Sequence, residues 1–492
     1  MNNVSPVEAP STSSTHDSPS PPSSPPADSA QRGRGGGVDL TTGSVWRHLI
    51  SFSLPLLAGS AIQTGYNVVN AIWVGRGLGP DSMAALAVSF PLFFLLMSVA
   101  GGLSMGASIL VAQAFGAKET LRIKRLVNNA VLLTAVISVL VLIVGWFMTP
   151  LLFRLMRTPP EVLEQAISYG RLYLWTVPFM FGIFLLTSLL RGVGDSKTPL
   201  YFQASALLFA ALLDPLLMFG VAGFPRLGLN GTAYASILAQ FLALLAMGTW
   251  IVRSGFIVAP DLRHFVFDRI DCLLMLRIGV PSMLQQGLVS TGMMVLTSLI
   301  NAYGKDATAA FGAVGRIDML AFMPAMSVGI AVSTFAGQNI GAKRFDRVSQ
   351  VFRRGMILGG GLTLPAVIAS LFFPDFLLHL FTDESAVIAI GRGYLHVIGF
   401  GYLMFAAMFV SNGVINGSGH TIPTTLFSLF GLWLIRLPLA AYLSHTYGRI
   451  EVIWYAMVFG FVFGLMASLL YYRSGRWMIP VKGAGGKPHA RF

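Results

Sequence analysis

The sequence predicts an all-α integral membrane protein with twelve transmembrane helices in two pseudo-symmetric six-helix bundles. Three observations support this fold class. Hydrophobic residues make up 54% of the 492 residues and charged residues only 11%, whereas soluble domains carry about 25% charge. Apolar runs long enough to cross a bilayer recur along the chain. A six-residue phrase also occurs twice, and its flanking motifs recur at nearly the same spacing.

The repeated phrase is Gln-x-x-Gly-Ala-Lys, which begins at Gln113 and again at Gln338, 225 residues later (338 − 113). A Gly-x-Gly pair beginning at Gly192 returns at Gly417 with the same spacing. Nearly the same spacing separates Pro55 from Pro281, Pro199 from Pro423, and Tyr173 from Tyr394. The chain after residue 45 therefore consists of two homologous halves, a pattern typical of transporters built from internal repeats.

The apolar length allows about a dozen crossings, because a helix needs about 20 residues to span about 30 Å of hydrocarbon. A membrane β-barrel would instead alternate apolar and polar residues and would lack long apolar runs. We place helices at 47–74, 84–113, 127–149, 163–190, 199–220, 229–252, 273–301, 308–336, 350–373, 386–413, 422–444 and 451–473.

The chain termini differ in composition from the helical part. Residues 5–29 are mostly Ser, Pro, Thr, Ala and Asp, and this stretch has no apolar core of a signal peptide, so we expect a disordered tail. The predicted units are a cytoplasmic tail (1–45), a first bundle (46–255), a cytoplasmic linker (256–272), a second bundle (273–475) and a cytoplasmic tail (476–492).

Basic residues predict the orientation. They concentrate after helices 2, 6 and 8 and in the C-terminal tail: Lys118, Arg122, Lys124, Arg125, Arg253, Arg263, Arg269, Arg277, Lys343, Arg344, Arg347, Arg353, Arg354, Arg473, Arg476, Lys482 and Lys487. The positive-inside rule then places both termini in the cytoplasm. Six helices per repeat leave both halves with one orientation, related by an axis along the membrane normal, so substrate access would alternate by rocking of the halves.

Charge and cysteine usage narrow the function classes. The net charge of +13 falls mostly in loops between helices, so we expect no nucleic-acid partner. Cys272 is the only cysteine, which excludes a disulfide within the chain and a cysteine metal cluster. The scattered histidines form no metal-hydrolase motif and no phosphate-binding loop occurs, so we expect neither an enzyme, nor a cofactor, nor a metal site.

The ordered motifs resemble those of the multidrug and toxic compound extrusion (MATE) family of bacterial membrane transporters. The resemblance covers residues 45–475 and rests on Leu54-Pro55, Val74-Gly75-Arg76, Gln113-x-x-Gly116-Ala117, Leu190-Arg191-Gly192-x-Gly194-Asp195-x-Lys197-Thr198-Pro199, Leu213-Asp214-Pro215, Gly279-x-Pro281, Gln338-x-x-Gly341-Ala342, Asn416-Gly417-x-Gly419 and Arg436-x-Pro438. It implies secondary-active efflux of small organic molecules by alternating access, in exchange for H⁺ or Na⁺, by a monomer in the lipid of the inner membrane.

Three other functions stay open on the residues alone. A flippase for lipid-linked saccharide precursors has a similar architecture, but it typically needs a cationic cavity for pyrophosphate, and intramembrane charges are few here. A membrane-embedded enzyme would need a cluster of His, Asp or Glu at an interface. The duplicated architecture argues only weakly against a receptor or scaffold.

We interpret the repeated glycines as structural. Gly116, Gly192, Gly194 and their counterparts in the second half follow helices, where a residue with positive φ is often required. They are therefore expected to end helices rather than to bind a ligand.

Asp214 is the principal candidate for ion coupling. It lies about fifteen residues into the fifth predicted helix, within an apolar run and beside Pro215. A carboxylate in hydrocarbon is costly, so it must face protein or a water-filled cavity. A structural role in capping the backbone broken by Pro215 is the alternative. The family resemblance implies a part for this residue in cation coupling.

The sequence departs from the family near the end of the first helix, where Asn70 stands in place of a common Asp, and at Ala210, where an Asn is common. Asn70 forms hydrogen bonds but does not titrate. The family variant with acids in helices 7 and 10 is not matched either, since those helices offer Gln285, Gln286 and His396.

Further candidates line a predicted cavity. Polar groups would orient a ligand and Met would adapt to its shape. The set comprises Gln63, Tyr66, Asn67, Gln285, Gln286, Ser290, Met293, His396 and Arg436. Packing is the alternative for each, and for His396 a neutral hydrogen bond between helices. Arg316 and Asp318 stand two residues apart on helix 8, so we expect them to face different partners.

Overall fold

The computed structural model describes residues 36–156, 158–261 and 265–479. Its first half contains α1 (Val45–Gly77), α2 (Pro80–Gly116), α3 (Thr120–Leu155), α4 (Pro160–Leu174), α5 (Val177–Gly192), α6 (Lys197–Phe219) and α7 (Leu229–Arg253). Its second half contains α8 (Arg269–Asn301), α9 (Lys305–Gly341), α10 (Phe345–Phe372), α11 (Pro374–His379), α12 (Ser385–Gly417), α13 (Thr421–Leu429), α14 (Leu437–Tyr447) and α15 (Glu451–Arg473).

Twelve membrane crossings are present in the described part of the chain, which confirms the predicted number. Eleven are long apolar helices, and the twelfth is the pair α4 and α5, bent by 47°. The helix predicted at 163–190 breaks at residues 175–176 because Pro178 has no N–H to donate to the preceding turn. A π-helical segment, Phe430–Arg436, connects α13 to α14 within one span.

The first turns of α1 and α8 each pack against the opposite half of the molecule. Leu274, Met275 and Ile278 of α8 pack in a core with α2, α3 and α5 of the first half. Leu49 and Phe52 of α1 pack with α9, α10 and α12 of the second half. Helix α8 begins at Arg269, four residues before the predicted start, because the Asp268 side chain accepts hydrogen bonds from the first free backbone amides.

Residues 37–44, which we call the strap, differ from the predicted disordered tail. Leu40 is 1% exposed, and its backbone N–H donates to Gln338 Oε1 at 3.0 Å. The Val38 N–H donates to the Val193 carbonyl of the first half at 2.8 Å, whereas Gln338 belongs to the second half. Arg344 and Arg347 donate to strap carbonyls at Leu40, Thr41, Thr42 and Gly43. The predicted boundary at residue 45 is therefore too late, because these contacts bury the chain from Gly37 onward.

The C-terminal boundary differs in the same way. Trp477, predicted to lie in a tail, is 1% exposed, and its indole N–H donates to the Tyr472 carbonyl at 2.8 Å. The remaining tail predictions, residues 1–35 and 480–492, lie outside the described residues. So do three of the basic residues used to predict orientation, Arg263, Lys482 and Lys487.

The repeated motifs meet at one end of the molecule and join the two halves. Gln113 Nε2 donates to the Gly417 carbonyl at 3.0 Å, and Gln338 Nε2 donates to the Gly192 carbonyl at 2.9 Å. We call this arrangement, together with Gly116 and Gly341, the clasp. The two contacts are equivalent, as expected when a two-fold axis relates the two halves.

The expectation of positive φ at the repeated glycines is correct at only one pair. Gly194 and Gly419 have φ of 87° and 88°, whereas Gly116, Gly192, Gly341 and Gly417 do not have positive φ. These four glycines are instead sites of close approach. A Cβ at Gly116 would lie 1.8 Å from the Gln338 carbonyl oxygen, and one at Gly341 would lie 1.9 Å from that of Gln113. Lys118 and Lys343 adopt the left-handed conformation after the helices.

Candidate functional site

Asp214 lies inside the first half, where α6 packs against α1. Its side chain is 0% exposed. Asp214 Oδ2 accepts a hydrogen bond from Asn70 Nδ2 at 3.0 Å and another from the Tyr66 hydroxyl at 3.2 Å. Tyr66 and Asn70 are four residues apart on α1 and so share one face. The structure therefore brings together three residues that the sequence analysis had nominated.

The second oxygen of Asp214 has a different environment. Oδ1 is buried and has no hydrogen-bond partner, and Asp214 takes part in none of the described ion pairs. A buried polar atom without a partner carries a desolvation cost of about 1–3 kcal/mol, and a buried charge carries more. A proton bound at Oδ1 would remove the charge, so the site is suited to binding and releasing a cation.

A row of polar residues continues along α1 from this site. Gln63 Nε2 donates to Asn67 Oδ1 at 3.3 Å, and Gln203 Nε2 of α6 donates to Gln63 Oε1 at 3.5 Å. Asn67 is exposed. Positions 63, 67 and 70 recur at the spacing of one helical face, so they form a polar stripe that leads to Asp214.

The candidates on α8 are not in contact with Asp214. Gln285 Nε2 donates to Ser428 Oγ at 2.7 Å, within the second half. Met293 packs against the core of that half, Ser290 is half-buried, and Gln286 is exposed. These residues therefore do not extend the Asp214 site.

His396 lies on an exposed face of α12, one turn from the exposed Phe400. Tyr394, two residues earlier, is buried on the opposite face. The structure therefore places His396 on the outside of the second half, away from the buried polar groups.

A half-buried carboxyl group in the second half, Asp318 of α9, was not among the nominated site residues. It accepts hydrogen bonds from the Tyr394 and Tyr402 hydroxyls of α12, the latter at 2.6 Å. Arg316 instead stacks on Phe381, with its guanidinium carbon 5.5 Å from the ring centroid. The expectation that Arg316 and Asp318 face different partners is thus confirmed. The sequence contained two signals for this site. Asp318 stands in an apolar helix, and Tyr394 and Tyr402 stand eight residues apart in a later helix.

Arg436 is a buried basic residue of the second half. It is 7% exposed, and its guanidinium carbon lies 5.4 Å from the centre of the Phe461 ring. The described ion pairs and hydrogen bonds do not include a contact between Arg436 and Asp318. Among the residues that the structure describes, no group of three or more His, Cys, Asp or Glu side chains could hold a metal ion.

Comparisons with known proteins identify the family. The MatE family model matches residues 55–216 and again 281–442, one match in each half. The chain is 36% identical over 439 residues to the probable multidrug resistance protein YoeA of Bacillus subtilis, covering 87% of this chain and 94% of that protein. It is 32% identical to the probable multidrug resistance protein YpnP of the same organism, covering 89% and 97%.

A solved structure has the same fold. The outward-facing conformation of a MATE family multidrug resistance transporter of the MOP superfamily superposes with a TM-score of 0.83 at 25% sequence identity, covering 92% of this chain and 99% of that one. The match extends over both halves and their connection. With twelve crossings in two lobes, and with a family match in each lobe, the chain is a bacterial multi-pass membrane transporter of the multidrug and toxic compound extrusion (MATE) family, not an enzyme.

Proposed function

We propose that this transporter exports small organic molecules in exchange for H⁺ or Na⁺, with Asp214 as the coupling carboxylate and Asn70 as its neutral partner. The observation that carries this proposal is the fully buried Asp214, one oxygen of which is held by Tyr66 and Asn70 while the other has no partner. The names of the similar Bacillus subtilis proteins support organic compounds as substrates.

The polar contacts of Asp214 suit reversible ion binding. The Asn70 amide and the Tyr66 hydroxyl donate to Oδ2 and keep the carboxyl group oriented. Neither carries a charge at neutral pH, so Asp214 is the only group of the three that changes charge. Binding of one cation therefore neutralises this site, and its release restores the charge.

Alternating access is the second part of the proposal. The described hydrogen bonds between the two halves include one between Ser98 and Met283, near the middle of α2 and α8, one between Arg125 and Asp271, and those of the clasp and the strap. Basic residues follow α2 and α9, so under the positive-inside rule we expect the clasp at the cytoplasmic face. In this state the protein is then closed to the cytoplasm. Uptake of a cytoplasmic substrate requires the clasp to open.

The flippase alternative has less support. A cavity that binds a lipid pyrophosphate needs exposed positive charge. Arg436 is buried against Phe461, and the polar stripe on α1 consists of the neutral residues Gln63, Asn67 and Asn70. Neutral and zwitterionic compounds suit such a surface as well as organic cations do.

The proposal is tested by accumulation of a fluorescent organic cation in cells that express the protein. We expect lower accumulation than in cells without it, and recovery of accumulation when an uncoupler removes the proton gradient or Na⁺ is withdrawn. Low accumulation that persists under both treatments would contradict ion-driven efflux. Unchanged accumulation, combined with translocation of a labelled lipid-linked saccharide, would favour the flippase.

The orientation is tested separately. We expect both termini to be cytoplasmic, because the basic connections lie on one side. A reporter enzyme that is active only outside the cytoplasm should be inactive when fused after Phe492, and a fluorescent protein fused there should fluoresce. Activity of the first reporter would contradict the proposed orientation.

A further inference from the structure

We propose that the strap is a tether that holds the carrier closed to the cytoplasm, and that its contact with the first half breaks in each transport cycle. The inference rests on the proposed function, because it assigns a gating element to the alternating access described above. It uses contacts in which the Asp214 site takes no part.

The strap crosses the seam between the two halves. The Val38 N–H donates to the Val193 carbonyl of the first half at 2.8 Å. Two residues later, the Leu40 N–H donates to Gln338 Oε1 of the second half at 3.0 Å. Because these bonds join one short stretch of backbone to both halves, the halves cannot separate at this face while both bonds are intact.

The two attachments of the strap differ in strength. Side chains of the second half make six described hydrogen bonds with it. Besides the bond from Gln338, Asn339 Nδ2 donates to the Leu40 carbonyl at 3.3 Å, and Arg344 and Arg347 donate to strap carbonyls over 2.6–3.2 Å. One described hydrogen bond, to the Val193 carbonyl, joins the strap to the first half. When the halves separate, the strap therefore stays with the second half and the bond to Val193 breaks.

Apolar contacts fix the same end of the strap. Leu40 is 1% exposed and packs in one core with Leu49 of α1, Phe335 of α9 and Trp477. Burial of an apolar side chain stabilises this attachment in addition to the hydrogen bonds. The part of the strap around Leu40 is thus a fixed base, from which residues 37–38 extend to the first half.

One side chain joins the strap to the clasp. Gln338 is 0% exposed; its Oε1 accepts from the Leu40 N–H, and its Nε2 donates to the Gly192 carbonyl of the first half at 2.9 Å. An amide has a donor end and an acceptor end, so the strap N–H determines which end faces Gly192. Without the strap, the buried Oε1 would lose its donor, which is unfavourable. The strap and this contact of the clasp therefore form together.

The counterpart of Gln338 in the first half has no such partner. Gln113 Nε2 donates to the Gly417 carbonyl at 3.0 Å, but the hydrogen bonds among the described residues include none to Gln113 Oε1, and this residue is half-buried. A segment that served only the packing shared by the two halves would have an equivalent at both glutamines. The strap instead acts on one of the two clasp contacts.

The test uses the full chain in inside-out membrane vesicles, with variants that loosen the contact with the first half. A Cβ at Gly37 would lie 2.7 Å from the Val193 carbonyl oxygen and 2.7 Å from a carbon of the Phe115 ring. Gly37 does not have positive φ, so Gly37→Ala displaces the strap without forcing alanine into the left-handed region. Val38→Pro removes the donating N–H. Thr42→Ala is the matched control, because that side chain is exposed.

A cysteine deep in the seam reports opening. Ser98 Oγ donates across the halves to the Met283 carbonyl at 2.8 Å, and Ser98 lies 15 residues (113 − 98) from the clasp glutamine of α2, or about 22 Å along the helix. Displacement of the strap alone does not uncover it. We therefore place Ser98→Cys in a Cys272→Ser chain and apply a membrane-impermeant maleimide from the cytoplasmic side. We expect both strap variants to raise the alkylation rate about two- to tenfold, as for loss of one hydrogen bond.

Transport distinguishes a tether from a merely structural segment. The state open to the cytoplasm binds cytoplasmic substrate, so a larger open fraction lowers the apparent KM for that substrate. We expect the KM for uptake of a fluorescent organic cation into the vesicles to fall about two- to tenfold in both strap variants. Substrate counterflow should be retained. Reduced counterflow with an unchanged KM would show a structural role and overturn the tether.

The outcomes separate this inference from the proposed function. Wild-type vesicles that take up no organic cation under any ion gradient overturn the proposed function, whereas the alkylation rates, which need no transport, still test the strap. If the wild type transports, and Gly37→Ala and Val38→Pro match Thr42→Ala in both alkylation rate and KM, the strap does not hold the carrier closed.

Discussion

Replacement of Asp214 by Asn is expected to abolish ion-driven efflux while substrate binding is retained. The amide keeps the size of the side chain and can accept from Tyr66 and Asn70 through its oxygen, but it neither binds nor releases a proton. Because Asp214 is 0% exposed and lies behind the residues of α1, the variant removes the ion site and not the ligand surface. We expect gradient-driven transport to fall by at least about tenfold, as for loss of an essential group that transfers protons.

The measurement is uncoupler-sensitive efflux, combined with binding of a fluorescent substrate to purified protein. Asp383→Asn is a matched control, because this acid is 97% exposed on its side chain, and it should transport as the wild type does. Asn70→Asp should fold and should change the pH dependence, since two adjacent carboxyl groups titrate as a pair. Full uncoupler-sensitive transport by Asp214→Asn would exclude Asp214 as the coupling residue.

The pairing of Asp214 with α1 was predictable from the sequence for a physical reason. An acid in an apolar helix needs polar partners, and Tyr66 and Asn70 are polar residues one turn apart in another apolar helix. The number of crossings was predictable as well, because bilayer thickness fixes the length of an apolar helix. Both inferences depend on local composition and on spacing along one helix.

The second acid shows where such reasoning stops. Asp318 was recognised as facing away from Arg316, but its partners stand on α12, 76 and 84 residues later. Only the packing of α9 against α12 brings them together. Neither helix spacing nor composition determines which helices of a bundle are neighbours, so the tyrosines could not be assigned to Asp318 from the sequence.

The glycines were misinterpreted because glycine has two distinct uses. It permits positive φ, and it permits two backbones to approach closely. The sequence does not distinguish these uses at a helix end. Gly194 and Gly419 use the first, and Gly116 and Gly341 use the second, each against a glutamine carbonyl of the other half. The strap was missed for a similar reason, since Val38 and Leu40 are isolated apolar residues in a polar stretch and Leu40 bonds to a residue nearly 300 positions away.

The clasp yields the second prediction of large effect: Gly116→Ala and Gly341→Ala should shift the carrier towards a state open to the cytoplasm. The added methyl group would lie 1.8 Å from the Gln338 carbonyl oxygen, or 1.9 Å from that of Gln113. The obstructing atom is backbone, so the halves must separate to relieve the overlap. Overpacking costs about 1–3 kcal/mol, which corresponds to about a 5–150-fold change in the equilibrium between two states.

The chain provides matched controls for this prediction. Gly101 lies on α2 with Gly116, and Gly312 lies on α9 with Gly341, and a Cβ at either control position would meet nothing within 4 Å. Alanine also favours the helix relative to glycine by about 1 kcal/mol, so weakened helices cannot explain a loss in the clasp variants. The controls should therefore fold and transport at least as well as the wild type.

A cysteine at the seam between the halves provides the measurement. Ala112 is 1% exposed and faces Gly337 of the other half, so Ala112→Cys in a Cys272→Ser background reports whether the clasp is closed. We expect Gly116→Ala and Gly341→Ala to raise its rate of alkylation from the cytoplasmic side and to lower transport, because the cycle must pass through the closed state. If alkylation and transport in both clasp variants match those of Gly101→Ala and Gly312→Ala, the close approach at the clasp is not required for the cycle. Increased alkylation with normal transport would show that the clasp closes the protein without limiting its turnover.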